Sequence, residues 1–252
     1  MRMSNQLLHY FNEIERFHWW WAGRRQLIRQ LTAGQFSPRR HPSILDIGCG
    51  TGETLTFLQT LFPSAKLLGL DTSAIAVKYT QARGHATSLG NALKLPFPKS
   101  SFDIVLLLDV IEHIKDDTQV LVEAKRVLKP GGQIIVTAPA LPFIWSDHDT
   151  HQGHKRRYTR RRMRFLSQQT GLKLTFLSYF NFFISPAIIT IRLLGNLKHF
   201  KGLVSFDSNL NYSIAYKRLP NTLLTQLFIH EIKALKFLRY PWGISICACF
   251  TK

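Results

Sequence analysis

The chain has 252 residues, enough for one large domain or a domain with an insertion, and 45% of them are apolar, an ordinary globular share. Its 33 Lys and Arg against 15 Asp and Glu give a formal net charge of +18, concentrated late, since beyond Thr150 the acids are Asp207 and Glu231. That imbalance bears on partners and not on fold: nucleic acid, an anionic membrane surface and phosphorylated small molecules are all admissible.

The first residues, "MRMSNQLLHYFNEIE", carry acids early and no long apolar run, so they do not read as a signal peptide. Residues 5 to 33 place apolar side chains at helical spacing, with Leu27, Ile28 and Leu31 on one face. Gly34, Pro38 and Pro42 then break the pattern, which gives a helical arm and linker over residues 1–42. Within the arm, Trp19, Trp20 and Trp21 cannot all face one core, because helix neighbours point about 100° apart. At least one of them is expected at a cleft, a lid contact or an interface, and Trp20 is the candidate on the substrate side.

From Ser43 short apolar runs alternate with helical stretches. "SILDIG", "KLLGLD", "HATSLGN", "FDIVLLLD" and "GGQIIVTAP" read as strands, and helices are expected near Glu53, Ser73, Asp117 and Thr159. Strands apolar on both faces and separated by helices imply a parallel sheet covered on both sides, a doubly wound α/β domain. "LKLTFLSYF" adds a strand after Gly171 closes a helix, residues 181–240 form a helical insertion or lid, and "GISICACF" returns to strand texture. The core domain is therefore 43–180 with 241–252. The run "YFNFFISPAIITIRLLG" is interrupted by Asn181, Pro186 and Arg192 and falls short of the roughly 20 residues of a spanning helix, so it is expected to be buried or interfacial. Cys49, Cys247 and Cys249 have neither the number nor the spacing of a disulfide framework or zinc site, and a reducing, cytoplasmic setting fits them.

The sharpest motif is "ILDIGCGTGET", where an apolar strand ends in Asp46 and runs into Gly48, Gly50 and Gly52 before a helix. Glycines there permit tight turns and close approach of a ligand, and the helix N-terminus favours negative charge. The spacing is not the G-x-G-x-x-G of dinucleotide sites. The second strand ends in Asp71, followed by Thr72, where a carboxylate can accept from ribose hydroxyls. The third ends near Asn91 and Ala92, and the fourth in Asp109. All fall on the edge where open α/β sheets bind ligands.

In this order of motifs, from about Ser43 to Ala138, the chain resembles the class I S-adenosylmethionine-dependent methyltransferases, specifically the type 11 group. The resemblance implies a Rossmann-like, seven-stranded sheet whose last strand, "GISICACF", inserts antiparallel. It implies that Gly48, Gly50 and Gly52 wrap the methionine part of the cofactor, that Asp71 binds its ribose, that Asn91 and Ala92 meet the adenine, and that Asp109 lies near the amino-acid end. Asn91 stands where an aspartate is more usual in that family, so its contact would use the side-chain carbonyl. S-adenosylhomocysteine would be the product.

Displacement at a sulfonium methyl needs alignment more than acid or metal assistance, and no convincing cluster of metal ligands stands out. A hydroxyl or phenol acceptor must lose its proton, for which histidine is the usual means. His113, His148, His151 and His154 are the candidates, with capping or packing as the competing role for His113. His148 and His154 belong to "SDHDTHQGHKRRYTRRRMR", just past the fifth strand. Its first part, residues 146–158, is expected to be a loop where Asp147, Arg156, Arg157 and Tyr158 bind or activate an acceptor. Thr159 then caps a helix whose inward positions are Met163, Phe165 and Leu166 and whose Arg160, Arg161, Arg162 and Arg164 form a solvated face. The resemblance also implies that the arm folds over the cofactor cleft, where Arg24 or Arg25 would meet a carboxylate.

For the acceptor, the basic charge invites nucleic acid. Against it, the fourth strand continues into "DVIEH" and not into the Pro-rich motif of amino-methylating nucleic-acid enzymes, and no recognition domain is evident. The apolar insertion with lysines at its margin favours a small-molecule or lipid-like acceptor methylated at oxygen or carbon, with peripheral membrane contact. RNA methylation and a non-catalytic, membrane-surface cofactor-binding protein are the alternatives.

Overall fold

A computed structural model describes residues 5–33, 41–196 and 213–252. The expected linker breakers Gly34 and Pro38 and the middle of the insertion, residues 197–212, lie outside the described residues.

The centre is a seven-stranded sheet in the order β3-β2-β1-β4-β5-β7-β6. The strands are β1 (Ser43–Ile47), β2 (Lys66–Asp71), β3 (Ala86–Leu89), β4 (Phe102–Leu108), β5 (Leu128–Pro139), β6 (Lys173–Phe180) and β7 (Ser245–Thr251). The first five run parallel, with Ile44 beside Ile104 and Val105 beside Ile134. β7 slots between β5 and β6 antiparallel to both, Ala248 pairing with Val136 on one side and Leu177 on the other. β1, β4 and β5 read as continuous apolar runs because both faces are covered, and Ile44, Leu106 and Val136 are fully buried.

The helices that follow β1, β2, β4 and the 146–158 tract begin where the sequence places them: α3 (Glu53–Leu61), α4 (Ala74–Ala82), α5 (Asp117–Val127) and α7 (Arg160–Thr170). The starts of α4, α5 and α7 are explained by side-chain caps. Ser73 accepts from the amide of Ala76, Asp116 from Gln119 and Thr159 from Arg162. α7 ends where Gly171 takes a left-handed φ of 61°. Strand order reverses between β1 and β4, so their carboxyl ends splay apart and leave a crevice there.

The arm is not one helix. α1 (Asn5–Ile14) and α2 (Trp19–Thr32) are separated by a break at which the His18 ring accepts from the Trp20 amide. Capping by an aromatic ring was not a signal that spacing carried. The insertion supplies α8 (Ser185–Asn196) and α9 (Arg218–Ala234). α9 lies so close on α2 that a Cβ on Gly23 would fall 1.9 Å from the Phe228 ring. Phe228 in turn stacks on Phe180 at 5.8 Å, and Trp20 on Phe180 at 6.1 Å. Arm and insertion thus close one apolar cluster over the end of β6.

Two expectations for the basic tract are corrected. Residues 147–151 are helical, α6 (Asp147–His151), because Ser146 and Asp149 form a reciprocal capping box. On α7, Met163 and Leu166 are buried but Phe165 is exposed. The arginines there are not simply solvated: Arg162 pairs with Asp117 and lies over Phe165, while Arg160 donates to the Tyr240 carbonyl and lies over the Tyr179 ring.

Candidate active site

At the crevice, the loop after β1 passes through Gly48, Gly50 and Gly52, all with φ between 56° and 88°. Their roles separate once a Cβ is added to each. At Gly48 it would strike Val110 at 2.5 Å, and at Gly52 it would press on Thr80 at 2.9 to 3.0 Å. At Gly50 it would meet nothing within 4 Å. Two of the glycines therefore let the loop pack, and the third keeps a space open. Gly48 and Gly50 both line a cavity of about 270 Å³ that runs from this loop under the arm.

Asp71 at the end of β2 holds the loop from outside: its carboxylate accepts from Gly50 N–H at 3.0 Å and Ser73 N–H at 2.8 Å. Both oxygens keep further acceptor capacity. Burial raises its pKa. Thr72, Asn91 and Ala92 stand at the ends of β2 and β3, beyond the cavity wall; the Asn91 side-chain carbonyl is engaged by the Leu93 amide at 3.0 Å. Asp46 faces the cavity, almost fully buried, and burial lifts its carboxyl to about 7, with Arg24 opposing and Asp71 adding to the rise.

Asp109, one residue past β4, adopts a left-handed φ of 58° that aims its carboxylate back into the cavity. Thr137 donates to one oxygen at 3.1 Å and Arg24 to the other at 3.0 Å. The carboxylate that Arg24 meets is thus the protein's own. Arg25 instead donates to the carbonyls of Glu15 and Arg16, fixing the break between α1 and α2. Glu15 reaches from that break to accept from the Thr51 hydroxyl and from Arg83 at 3.0 Å, and burial, opposed by Arg83, raises it to about 7. The arm is therefore hydrogen-bonded directly to the glycine loop. All three tryptophans contribute to the cavity wall, Trp19 and Trp21 buried and Trp20 partly open.

The opposite wall is built around Asp149, which is fully buried on α6. One oxygen takes Arg157 Nε at 2.8 Å and His154 Nδ1 at 2.9 Å, and the other takes Arg192 Nη1 at 3.2 Å. Burial works to raise this carboxyl, but the His154 hydrogen bond and the two guanidiniums more than offset it and hold it well below the usual range. The His154 ring sits 4.8 Å from His113, and burial, with His154 adding, depresses His113 to about 4. His148 lines the same wall and is likewise brought to about 4, by burial and then by Arg192.

Beside them Glu112 is almost completely buried, with its carboxyl held well above the usual range by burial and by Asp109. The fold brings donor atoms of Glu112, His113 and His154 within 4.8 Å of one another, a proximity that no local spacing announces.

Three of the expected acceptor residues stand elsewhere. Tyr158 is fully buried, its hydroxyl bonded to Asp117 at 2.9 Å, and burial and Asp117 push its pKa up. Arg156 pairs with Asp117 at 2.8 Å behind the cavity wall. Asp147 is exposed at the start of α6. Tyr158, Arg156 and Asp147 are thus a scaffold and a helix start, not cavity groups, because the helical turn of α6 rotates Asp147 out and Asp149 in. Sequence reasoning missed Asp149, Glu112, Glu15 and Arg192. The S-x-x-D spacing of Ser146 and Asp149 was a usable signal, and so was a lone arginine inside an apolar helix.

Comparison with known proteins agrees with this geometry. Residues 45–136 match the family described as methyltransferase domain. Demethylmenaquinone methyltransferase of Lactococcus lactis is 38% identical over 112 residues, 40% of this chain and 44% of that protein. The enzyme of the same name from Symbiobacterium thermophilum is 33% identical over 141 residues, 52% of this chain and 54% of the relative. The chain thus spans about half the length of the curated relatives it matches. Among solved structures, phosphoethanolamine N-methyltransferase 2 of Haemonchus contortus superposes with a TM-score of 0.65 at 17% identity, over 99% of this chain and 58% of that one. Geranyl diphosphate C-methyltransferase of Streptomyces coelicolor gives 0.58 at 14% identity, over 90% and 79%. These likenesses establish the fold, and the family match makes residues 45–136 a methyltransferase domain of the type 11 group.

Proposed function

We propose that the chain is a methyltransferase that binds S-adenosylmethionine across the β1 and β2 ends and methylates a small-molecule or lipid-like acceptor at oxygen or carbon. The observation that carries this is the cavity itself, which joins the glycine loop at one end to the Asp149, His154 and His113 cluster at the other. The residues present fit the cofactor: the space beside Gly50 admits close approach of a ligand, Asp71 retains lone pairs for a ribose, and the carboxylate of Asp109 faces the position of a cationic amine. Asn91 and Ala92 would flank the adenine. When bound, the cofactor supplies an electrophilic methyl group.

The chain's own residues then do three things. Arg24 fixes Asp109, and the arm above them forms one wall of the cavity. Asp149, ionised and shared with Arg157 and Arg192, orients His154 with Nδ1–H donating to it, which leaves Nε2 as a proton acceptor. A positioned base of this kind contributes about 10²- to 10⁴-fold for a hydroxyl acceptor. Trp19, Trp20, Phe11 and Ile188 give the acceptor an apolar wall, which suits a quinone-like or prenyl-bearing molecule. The related demethylmenaquinone methyltransferases are consistent with that class.

Peripheral membrane contact belongs to the same reading. No helix among the described residues is long and apolar enough to cross a membrane. On α9, Leu219, Leu223 and Leu227 recur at helical spacing on one exposed face, and Phe237 just beyond is exposed as well. The test is transfer of label from radiolabelled S-adenosylmethionine into partitioned cell extract. Label in the lipid or small-molecule fraction is the expected result, and label in RNA would overturn the acceptor class.

A further inference from the structure

Glu112 and His113 form the single turn after β4, and His154 reaches them from the segment after α6. All three line the cavity, and one donor atom from each falls within 4.8 Å of the others. Glu112 Oε1 lies 4.0 Å from His113 Nε2. Two further observations point to a ligand here. The second Glu112 oxygen, Oε2, is buried with no hydrogen-bond partner among the described residues, in a side chain only 1% exposed. A buried carboxyl oxygen with no hydrogen-bond partner is a costly arrangement that a bound cation, displacing the carboxyl proton, relieves. Both rings are also pre-aimed: His154 is held at Nδ1 by Asp149, and the Gly153 carbonyl accepts from His113. Outer hydrogen bonds of this kind orient imidazoles in metal sites.

We propose that Glu112, His113 and His154 bind one divalent transition-metal ion at the acceptor end of the cavity. Two imidazoles and one carboxylate suit Zn²⁺, Co²⁺, Fe²⁺ or Mn²⁺, whereas Ca²⁺ and Mg²⁺ prefer oxygen ligands alone. Bond lengths of about 2.1 Å require the donors to draw in by about 1 Å. The cations near Glu112 are each paired with another carboxylate, Arg157 with Asp149 and Arg24 with Asp109. Three protein ligands leave open positions toward the cavity, where an acceptor oxygen can bind. His154 Nε2 then serves as a ligand instead of a base, and the ion lowers the pKa of the coordinated hydroxyl, whose proton leaves to solvent. That consequence rests on the methyl-transfer reading, while the ion site itself does not.

Tag-free, chelator-treated protein titrated with Co²⁺ tests it through visible ligand-field absorption, with no cofactor or acceptor present. The expected result is a saturable band at one ion per chain that Zn²⁺ displaces. The band is lost in His113→Ala and His154→Ala and kept in His230→Ala, which removes an exposed ring on α9. Because the cavity histidines are packed, Glu112→Gln provides the near-isosteric variant, expected to lose the band while keeping the metal-free melting temperature. Absence of the band in the unaltered protein, or its persistence in Glu112→Gln, overturns the proposal. S-adenosylmethionine binding, measured on the same metal-free samples, decides the methyl-transfer reading separately.

Discussion

The two ends of the cavity are built in opposite ways. At the cofactor end, Asp46, Gly48, Gly50 and Gly52 come from one short stretch, and Asp71 closes it through two backbone amides. At the acceptor end, Glu112 and His113 from the β4 turn meet Asp149 on α6, His154 and Arg157 after it, and Arg192 from α8. The first end depends on backbone conformation, the second on compensated charges buried far apart in sequence. Damage should therefore propagate differently: locally and sterically at the loop, and through loss of charge balance at the Asp149 wall.

The largest effect is expected from Asp149→Ala. It strips the partner from Arg157 and Arg192, both nearly buried, and leaves the His154 ring without its orienting acceptor. Removing one member of a buried ion network costs about 3–5 kcal/mol. Urea unfolding should show a loss of that size, and an effect below about 1 kcal/mol would mean that the acceptor wall is held by something else.

Gly52→Ala should act on the other end and less strongly. Its φ of 88° disfavours any Cβ, and the new methyl would press on Thr80. Overpacking and strain of this kind cost about 1–3 kcal/mol. Calorimetry should find S-adenosylmethionine binding weakened while the Co²⁺ band at the far end persists. Loss of both together would break the separation between the two ends.

Asp149 and Asp46, one at each end, carry opposite pH signatures. Asp149 is depressed in the folded protein, so its contribution is present above the ordinary carboxylate range and disappears only when pH falls through the folded value. Asp46, raised from 3.8 to about 7, behaves in reverse. Between those values the folded state binds the extra proton, so stability falls as pH rises across that window. Asp46→Asn should flatten the slope of melting temperature between about pH 4 and 7, the window set by that shift. An unchanged slope would show that the other raised carboxyls, Glu15 and Glu112, carry it instead.

This difference also explains what the sequence disclosed. The strands of the sheet and the glycine loop were legible because each is a local pattern: apolar runs, strand-end acids, glycines at alternate positions; the antiparallel placement of the last strand came only with the family resemblance. Thr159 and Gly171 were legible for the same reason, as caps. Asp149 was not, because a single helical turn decides which of Asp147 and Asp149 points inward, and the capping box that creates the turn lies inside a tract dominated by its charge. Tyr158 read as a reactive group from its neighbours, yet its burial against Asp117 depends on how α5 and α7 meet. Arg192 read as an interruption of an apolar run, and its partner lies on another element.

The smallest effect on the fold, and the one that tests the outside of the acceptor end, is expected from α9. Leu219, Leu223 and Leu227 are exposed there, with Lys217 and Arg218 at the start of the helix. Replacing all three leucines with Ser removes little buried area, so stability should stay within about 0.5 kcal/mol per site. Apolar side chains flanked by cations partition into an anionic interface, and sedimentation with anionic vesicles should fall sharply in the triple variant if this face meets the bilayer. If vesicle binding is unchanged and melting temperature drops instead, the leucines pack on protein, and the lipid-like acceptor must reach the cavity by another side.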